Sequence, residues 1–380
     1  MKEWFAIVAN VTDSIGEAMK KLGMSGVCWL LAACSGTVNA GDRERWADRL
    51  DLAQGDSPQA VYEGSAHVTA YAVDETTVYA LLDDENRRIQ RLVSCPFEDC
   101  ARNLKTLTEL PWPSTGYDLE PTNLSLSDGE LFWTQRHPSK QASDSIVSCS
   151  TSGCADGARQ IWVLPSSANT APDGNQGLSL AVDADSVYWW QDQALMRCSR
   201  SDCRAPQSIA EGLLGYAPSS ALLAYGPDIY LSSIGEIVRI RKDGSAAVEV
   251  ITRNDSHLGS ISVGENGLFF PTTVLTGGIW HCAMDGCGLE PEPVVGGQRW
   301  PRATMVDATD VYWVGNDRST GFDGESLLRC PQSGCERASV LAGGRVFSPW
   351  TPTKFVMNHD LVFWVEAPSP ALTSLRVVRK

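Results

Sequence analysis

Ten of the twelve cysteines fall in five pairs with four residues between partners. The pairs are Cys95/Cys100, Cys149/Cys154, Cys198/Cys203, Cys282/Cys287 and Cys330/Cys335. Three chemistries use paired cysteines. A dithiol redox site has two intervening residues, not four, and needs no fivefold repetition. Structural zinc takes four ligands; each pair offers two, with His281 beside Cys282 the lone candidate third. A disulfide needs only two facing Cα atoms, and cysteines flanking a four-residue hairpin loop are expected to face each other across the ladder. The pattern carries its own control. In a sixth copy Ile240 and Ser245 replace both cysteines together, and in a seventh Val377 takes the first position. Joint loss is what a bond requires, so the spacing points to five disulfides, formed where oxidation is permitted. For so small a loop each is worth roughly 2 kcal/mol.

Other reactive residues are less organised. Asp74, Asp183 and Asp307 lie in short turns, where an aspartate caps its own backbone. The stretch "GNDRSTGFDGE" (315–325) is acidic but lacks the spacing of a 12-residue EF-hand loop. No metal and no cofactor is expected. There is no G-x-S-x-G, H-E-x-x-H or P-loop, and the five histidines form no paired motif.

The elements that position the cysteines repeat. An apolar stretch, a turn and an aromatic recur seven times, with first aromatics Tyr79, Phe132, Tyr188, Tyr230, Phe269, Tyr312 and Phe363. Each unit divides into four short strands. In the sixth these are Thr304 to Val306, Val311 to Trp313, Leu327 to Cys330 and Ser339 to Leu341. Four strands in about 40–50 residues is the pattern of a propeller blade. An open solenoid is the competing arrangement, and "PQAVYEG" (Pro58 to Gly64) decides against it. This stretch matches the fourth-strand segment "PQSIAEG" (Pro206 to Gly212), while the seventh unit has only three strands, ending in "SLRVVRK". The expected fold is therefore all-β: a seven-bladed β-propeller of four-stranded blades, closed by an N-terminal strand completing the last blade. The second aromatics Trp133, Trp189, Trp313 and Trp364 should pack between blades.

Units such as "LFWT" (Leu131 to Thr134) and "IVRIRKDGS" (Ile237 to Ser245) resemble the YWTD repeats of LDL-receptor-type propellers. No unit reads YWTD in full, and that family usually has six blades. The resemblance implies a non-enzymatic binding propeller and leaves the ligand open.

The two hairpin turns of each blade share one face, which the cysteine turns occupy. The opposite face carries variable loops, where function concentrates on rigid scaffolds. Aromatic, histidine and arginine residues cluster near the starts of innermost strands: His67, Trp112, Tyr117, Tyr216, His257, Trp300, Arg302 and Trp350. Such residues would ring the channel mouth and serve as a protein or glycan hot spot. The competing structural reading has them plug the channel. The competing functional reading is a propeller enzyme, a lyase or hydrolase, with His67 and His257 converging on a carboxylate at the channel mouth.

Lys20 and Lys21 precede a short apolar run ending Leu31-Ala32-Ala33-Cys34. That run is too short to span a bilayer. It resembles the lipobox of bacterial lipoproteins. The resemblance implies a signal peptide over 1–33, with a true start at Met19, and a lipidated Cys34. A polar tether over 34–55, containing a short helix near 43–52, would lead to the propeller over 56–380. It also implies attachment to the cell envelope through the lipid anchor only, with Ser35 favouring the outer membrane, facing periplasm or exterior. The remainder reads as a monomer. With 31 basic and 46 acidic residues the net charge is −15, which disfavours nucleic acid.

Overall fold

The computed structural model describes residues 45–46, 57–84, 87–111, 124–135, 145–154, 157–164, 179–191, 193–213, 221–232, 234–316, 325–343, 355–369 and 372–380. Among them no helix is long and apolar enough to cross a membrane. The signal-peptide segment and Cys34 lie outside the described residues.

The middle of strand 2 in each blade is a nearly continuous apolar run, as in Ser186–Gln191, "SVYWWQ". Such runs suit a sheet buried on both faces. Because side chains alternate across a strand, one aromatic of each pair faces the next blade and its neighbour faces the previous one. Tyr188 packs with Ile229 and Leu231 of blade 4. Trp189 packs with Phe132 and Ile146 of blade 2. The rule repeats at seven apolar clusters, one between each adjacent pair of blades. Trp133, Trp189, Trp313 and Trp364 are all fully buried in them.

Seven four-stranded antiparallel blades result. They cover 67–111, 125–163, 180–210, 222–257, 262–298 and 304–342, and the seventh joins 355–379 to the N-terminal strand Gln59–Gly64. That strand lies beside Leu372–Arg379, pairing Gly64 with Thr373 and Gln59 with Val377. The cluster between blades 7 and 1 joins Val61 and Tyr62 to Val68, Tyr71 and Phe97, so the ring closes through the same contact rule as elsewhere. Arg45–Trp46 adds a short fifth strand, opposite Glu63 and Tyr62. These two residues thus extend in a strand where the sequence suggested a helix, because the closing strand presents an unpaired edge.

All five cysteine pairs are disulfides, with Cα–Cα distances of 4.8–5.9 Å. Their setting differs from the expected hairpin in one respect. The first cysteine of each pair sits in strand 3, but the second is not its partner across a ladder. Cys100, bonded to Cys95 at 4.8 Å, opens a short helix, Cys100–Asn103, ahead of the fourth strand Lys105–Pro111. Cys203, bonded to Cys198 at 5.1 Å, lies in the turn between strands Ala194–Ser199 and Gln207–Ala210. The reason is that a disulfide constrains only the separation and direction of two Cα–Cβ bonds, which a chain doubling back satisfies without ladder hydrogen bonds. In blade 1 Phe97, in the turn before this helix, and Cys100, its first residue, are both buried in the cluster between blades 7 and 1.

One register assignment also needs correction. The first cysteine always faces the residue before the first aromatic, as Cys330 faces Val311 and Cys95 faces Val78. In blade 7 the residue facing Val362 is Val378, not Val377. A one-residue slip exchanges the two faces of a strand, so the aromatic register, not distance from the chain end, sets the equivalence.

Every fourth strand carries a β-bulge at the same place. The ladder skips Leu107, Ile161, Ile209, Ile251, Val294, Leu341 and, in the closing strand, Val61. A bulged residue leaves its backbone unpaired within its own sheet. At three blade boundaries the cysteine turn of the next blade takes up that carbonyl. The second-cysteine N–H donates to it from Cys154 to Leu107, Cys287 to Ile251 and Cys335 to Val294, at 3.1–3.4 Å. At the other two, the second cysteine shares an apolar cluster with the bulged residue: Cys100 with Val61, and Cys203 with Ile161. Each disulfide is internal to one blade in sequence, yet it shapes the turn that fastens that blade to its predecessor.

Candidate functional site

The turn face is built for rigidity. In the first turns of blades 1, 3 and 6, one carboxylate oxygen of Asp74, Asp183 or Asp307 accepts two backbone N–H groups. The other oxygen accepts the hydroxyl of Tyr79, Tyr188 or Tyr312 at 2.8–3.0 Å. These aspartates therefore cap turns. In two cases a lysine from the following blade completes the joint. Lys242 Nζ lies 2.7 Å from Asp183 and above the Tyr188 ring. Lys380 Nζ lies 3.2 Å from Asp307 and above Tyr312. Arg200 does the same over Phe132, bonding Asp128 at 2.9 Å.

The titrations follow from this geometry. Burial works against the Asp307 charge, but the Thr309 and Asp310 amides, the Tyr312 hydroxyl and Lys380 outweigh it and hold its pKa at about 2. Burial, joined by the adjacent Asp183 carboxylate, pushes the Tyr188 phenol up to about 12, and Tyr312 is raised by the same causes beside Asp307. Asp183 and Asp307, held low, and Tyr188 and Tyr312, held high, are thus each kept in one charge state across the physiological range. That suits structure better than proton transfer.

The opposite face carries the loops. Trp112, Tyr117, Tyr216 and Trp350 lie outside the described residues, as does the side chain of His257. Three sequence-selected residues can be placed. His67 opens the innermost strand of blade 1, His67–Val73. Its Nδ1 lies 3.2 Å from the Thr373 hydroxyl of blade 7, and Asp83 faces it across the ladder. Asp83 is 1% exposed and accepts a 2.6 Å hydrogen bond from Gln90. The backbone of His257 ends the outermost strand of blade 4, Glu249–His257. The two histidines thus belong to blades three apart, the largest separation a seven-membered ring allows.

Trp300 and Arg302 lie together, just before the innermost strand of blade 6, Thr304–Val306. Trp300 is 47% exposed and adopts φ +49°. Its N–H donates to Val274 O at 3.0 Å, next to exposed Leu275. Arg302 is anchored by its N–H to Val314 O at 2.7 Å, and its guanidinium pairs with the Glu325 carboxylate. Burial lowers the guanidinium pKa from its ordinary value. Asn316 N–H donates to Arg299 O at 2.9 Å, drawing Arg299 to the same end of the blade.

Sequence reasoning selected Trp300 and Arg302 and overlooked Arg299 and Glu325. Glu325 sits in the acidic stretch weighed as a calcium loop, and its role as an arginine partner needed the crossover and the third strand to be brought together. Asp83 and Gln90 were overlooked because two polar residues at strand ends carry no periodic signal.

No protein-family model and no curated protein sequence matches the chain. Solved structures do. A catalytically inactive histidine-to-alanine form of virginiamycin B lyase from Staphylococcus aureus, with quinupristin, is 12% identical. It matches at a TM-score of 0.53 over 88% of this chain and 99% of that chain. The β-propeller domain of the Trilobed protease from Pyrococcus furiosus is 10% identical, with a TM-score of 0.55 over 83% of this chain and 97% of that chain. A streptogramin B lyase is 13% identical, with a TM-score of 0.53 over 84% and 94%. At such identities the likeness is one of fold.

Proposed function

We propose that the chain is an envelope-anchored lipoprotein whose propeller binds a protein or glycan ligand through its loop face, without catalysis. The observation that carries this reading is Trp300. It is a bulky residue held at positive φ with its indole open to solvent, beside exposed Leu275 and the Arg302–Glu325 pair. Interface hot spots favour tryptophan and arginine, and surfaces with no task rarely hold an aromatic in a strained conformation. The anchor is the acylated Cys34, preceded by a 1–33 signal, with the 34–55 segment as tether and the 56–380 propeller as a monomer. Two acyl chains suffice for stable attachment without a spanning helix, and the outer membrane is the expected destination.

The test is affinity capture from an envelope extract, comparing the native chain with Trp300→Gly and Trp350→Ala. A partner retained by the first and lost by the variants supports the reading; equal retention by all three refutes it. Metabolic labelling with a radioactive fatty acid should mark the protein and fail on Cys34→Ser. Labelling that survives this substitution would remove the anchor.

A further inference from the structure

Among the described residues, four of the buried side-chain atoms without a hydrogen-bond partner lie at the loop-face end of blade 6, Arg299 Nε, Arg302 Nε, Glu325 Oε2 and Ser326 Oγ, and the others are spread around the ring. Backbone pairing brings their residues together. Asn316 bridges to Arg299, Gly315 faces Ser326, and Glu325 immediately precedes that serine. Leaving such an atom unpaired costs about 1–3 kcal/mol, and native proteins keep few of them. Trp300, exposed and at positive φ, stands in the chain between Arg299 and Arg302. Strain and unmet hydrogen bonds in one spot mark a site shaped for something other than stability. The four atoms are themselves closed to solvent, but other parts of two of these side chains reach it: the Arg302 side chain is 30% exposed and that of Glu325 18%.

We infer that this is a saccharide-binding site, an inference that rests on the loop-face reading above. A pyranose has an apolar C–H face and a rim of hydroxyls, each able to donate and accept. The open indole of Trp300 offers a flat amphipathic platform for the first. Two guanidinium groups offer donors only and Glu325 offers an acceptor only, the complement that a pair of neighbouring hydroxyls satisfies. A peptide would instead call for an unpaired sheet edge or an apolar groove, and one indole with Leu275 beside charged side chains supplies neither. Among the described residues here, Arg299 and Arg302 against Glu325 leave one positive charge in excess, within a chain of net charge −15. The site therefore selects sugars bearing a carboxylate over neutral ones.

The full chain in detergent would be titrated with an oligogalacturonate and with a neutral glucan of equal length, following heat and indole fluorescence. The expected result is binding of both, tighter for the uronate. Trp300→Gly keeps the positive φ accessible and should weaken both by tenfold or more. Arg299→Gln should abolish the preference for the uronate while sparing the glucan. Binding of neither oligosaccharide, or binding unchanged by Trp300→Gly, overturns the inference. If capture from envelope extract still depends on Trp300 in that event, the ligand is a protein and the loop-face reading stands. If capture fails as well, both fall.

Discussion

Two tryptophans show how context sets the consequence of a residue. Trp189 is fully buried between blades 2 and 3, with its indole N–H donating to Gln191 at 3.1 Å. Trp189→Ala should cost about 3–5 kcal/mol, the range for large-to-small core changes. Trp300→Gly should change stability by less than about 1 kcal/mol, since exposed surface is lost and a strained φ relaxed. Urea denaturation of the two variants checks both values. Asp307 supplies a pH test. Its folded pKa of about 2 lies below the ordinary 3.8, so its contribution is complete above pH 3.8 and disappears as pH falls through about 2. Asp307→Asn keeps an oxygen for the turn amides but loses the Lys380 pair, costing about 1 kcal/mol at neutral pH. The gap between wild type and variant should be constant from pH 5 to 7 and close below pH 2. A gap that widens with acid would contradict the assignment.

At the scale of elements, the cysteine turn and the bulge form one device. Removing the Cys282–Cys287 bridge with paired serines should cost roughly 2 kcal/mol by the chain-entropy model. The faster amide exchange should appear at the blade 4–5 boundary, at Cys287 and Gly288, whose N–H groups reach Ile251 O. The ladder within blade 5 should keep its protection. Exchange confined to the blade's own strands would show that the turn is no joint. The pairs were legible in sequence because joint presence and joint absence leave a clear trace. The path between partners was not, since four residues can run as a hairpin loop, as the bend before Cys203 or as the approach to the helical turn at Cys100. The bulges were hidden too. Ile209 and Val61 occupy the same place in "PQSIAEG" and "PQAVYEG", but an apolar residue in a strand looks the same whether it pairs or bulges. The register of blade 7 escaped for a related reason: Val377 and Val378 are identical residues on opposite faces.

For the whole molecule, ring closure was legible in full, because a fourth strand at the wrong end of the chain has few explanations. The loop face was legible only as a composition. Its aromatics belong to crossovers without periodicity, and among the described residues of the chosen set Trp300 and Arg302 are the two that meet. Closure makes its own prediction. A chain lacking 45–64 exposes the edge of Leu372–Arg379, and it should associate or unfold at lower urea than the native chain. A peptide spanning 57–66 added in excess should restore the native midpoint. Indifference to the deletion would mean that blade 7 stands with three strands.

Binding through the loop face is tested most directly by a pair of single substitutions on opposite faces. Trp300→Gly alters the loop face, and Leu289→Asp alters a turn-face residue that is 75% exposed. Affinity for the captured ligand would be measured for each against the native chain. Loss with Trp300→Gly and native affinity with Leu289→Asp is the expected result. The reverse pattern would place the ligand on the cysteine-turn face and contradict the proposed function.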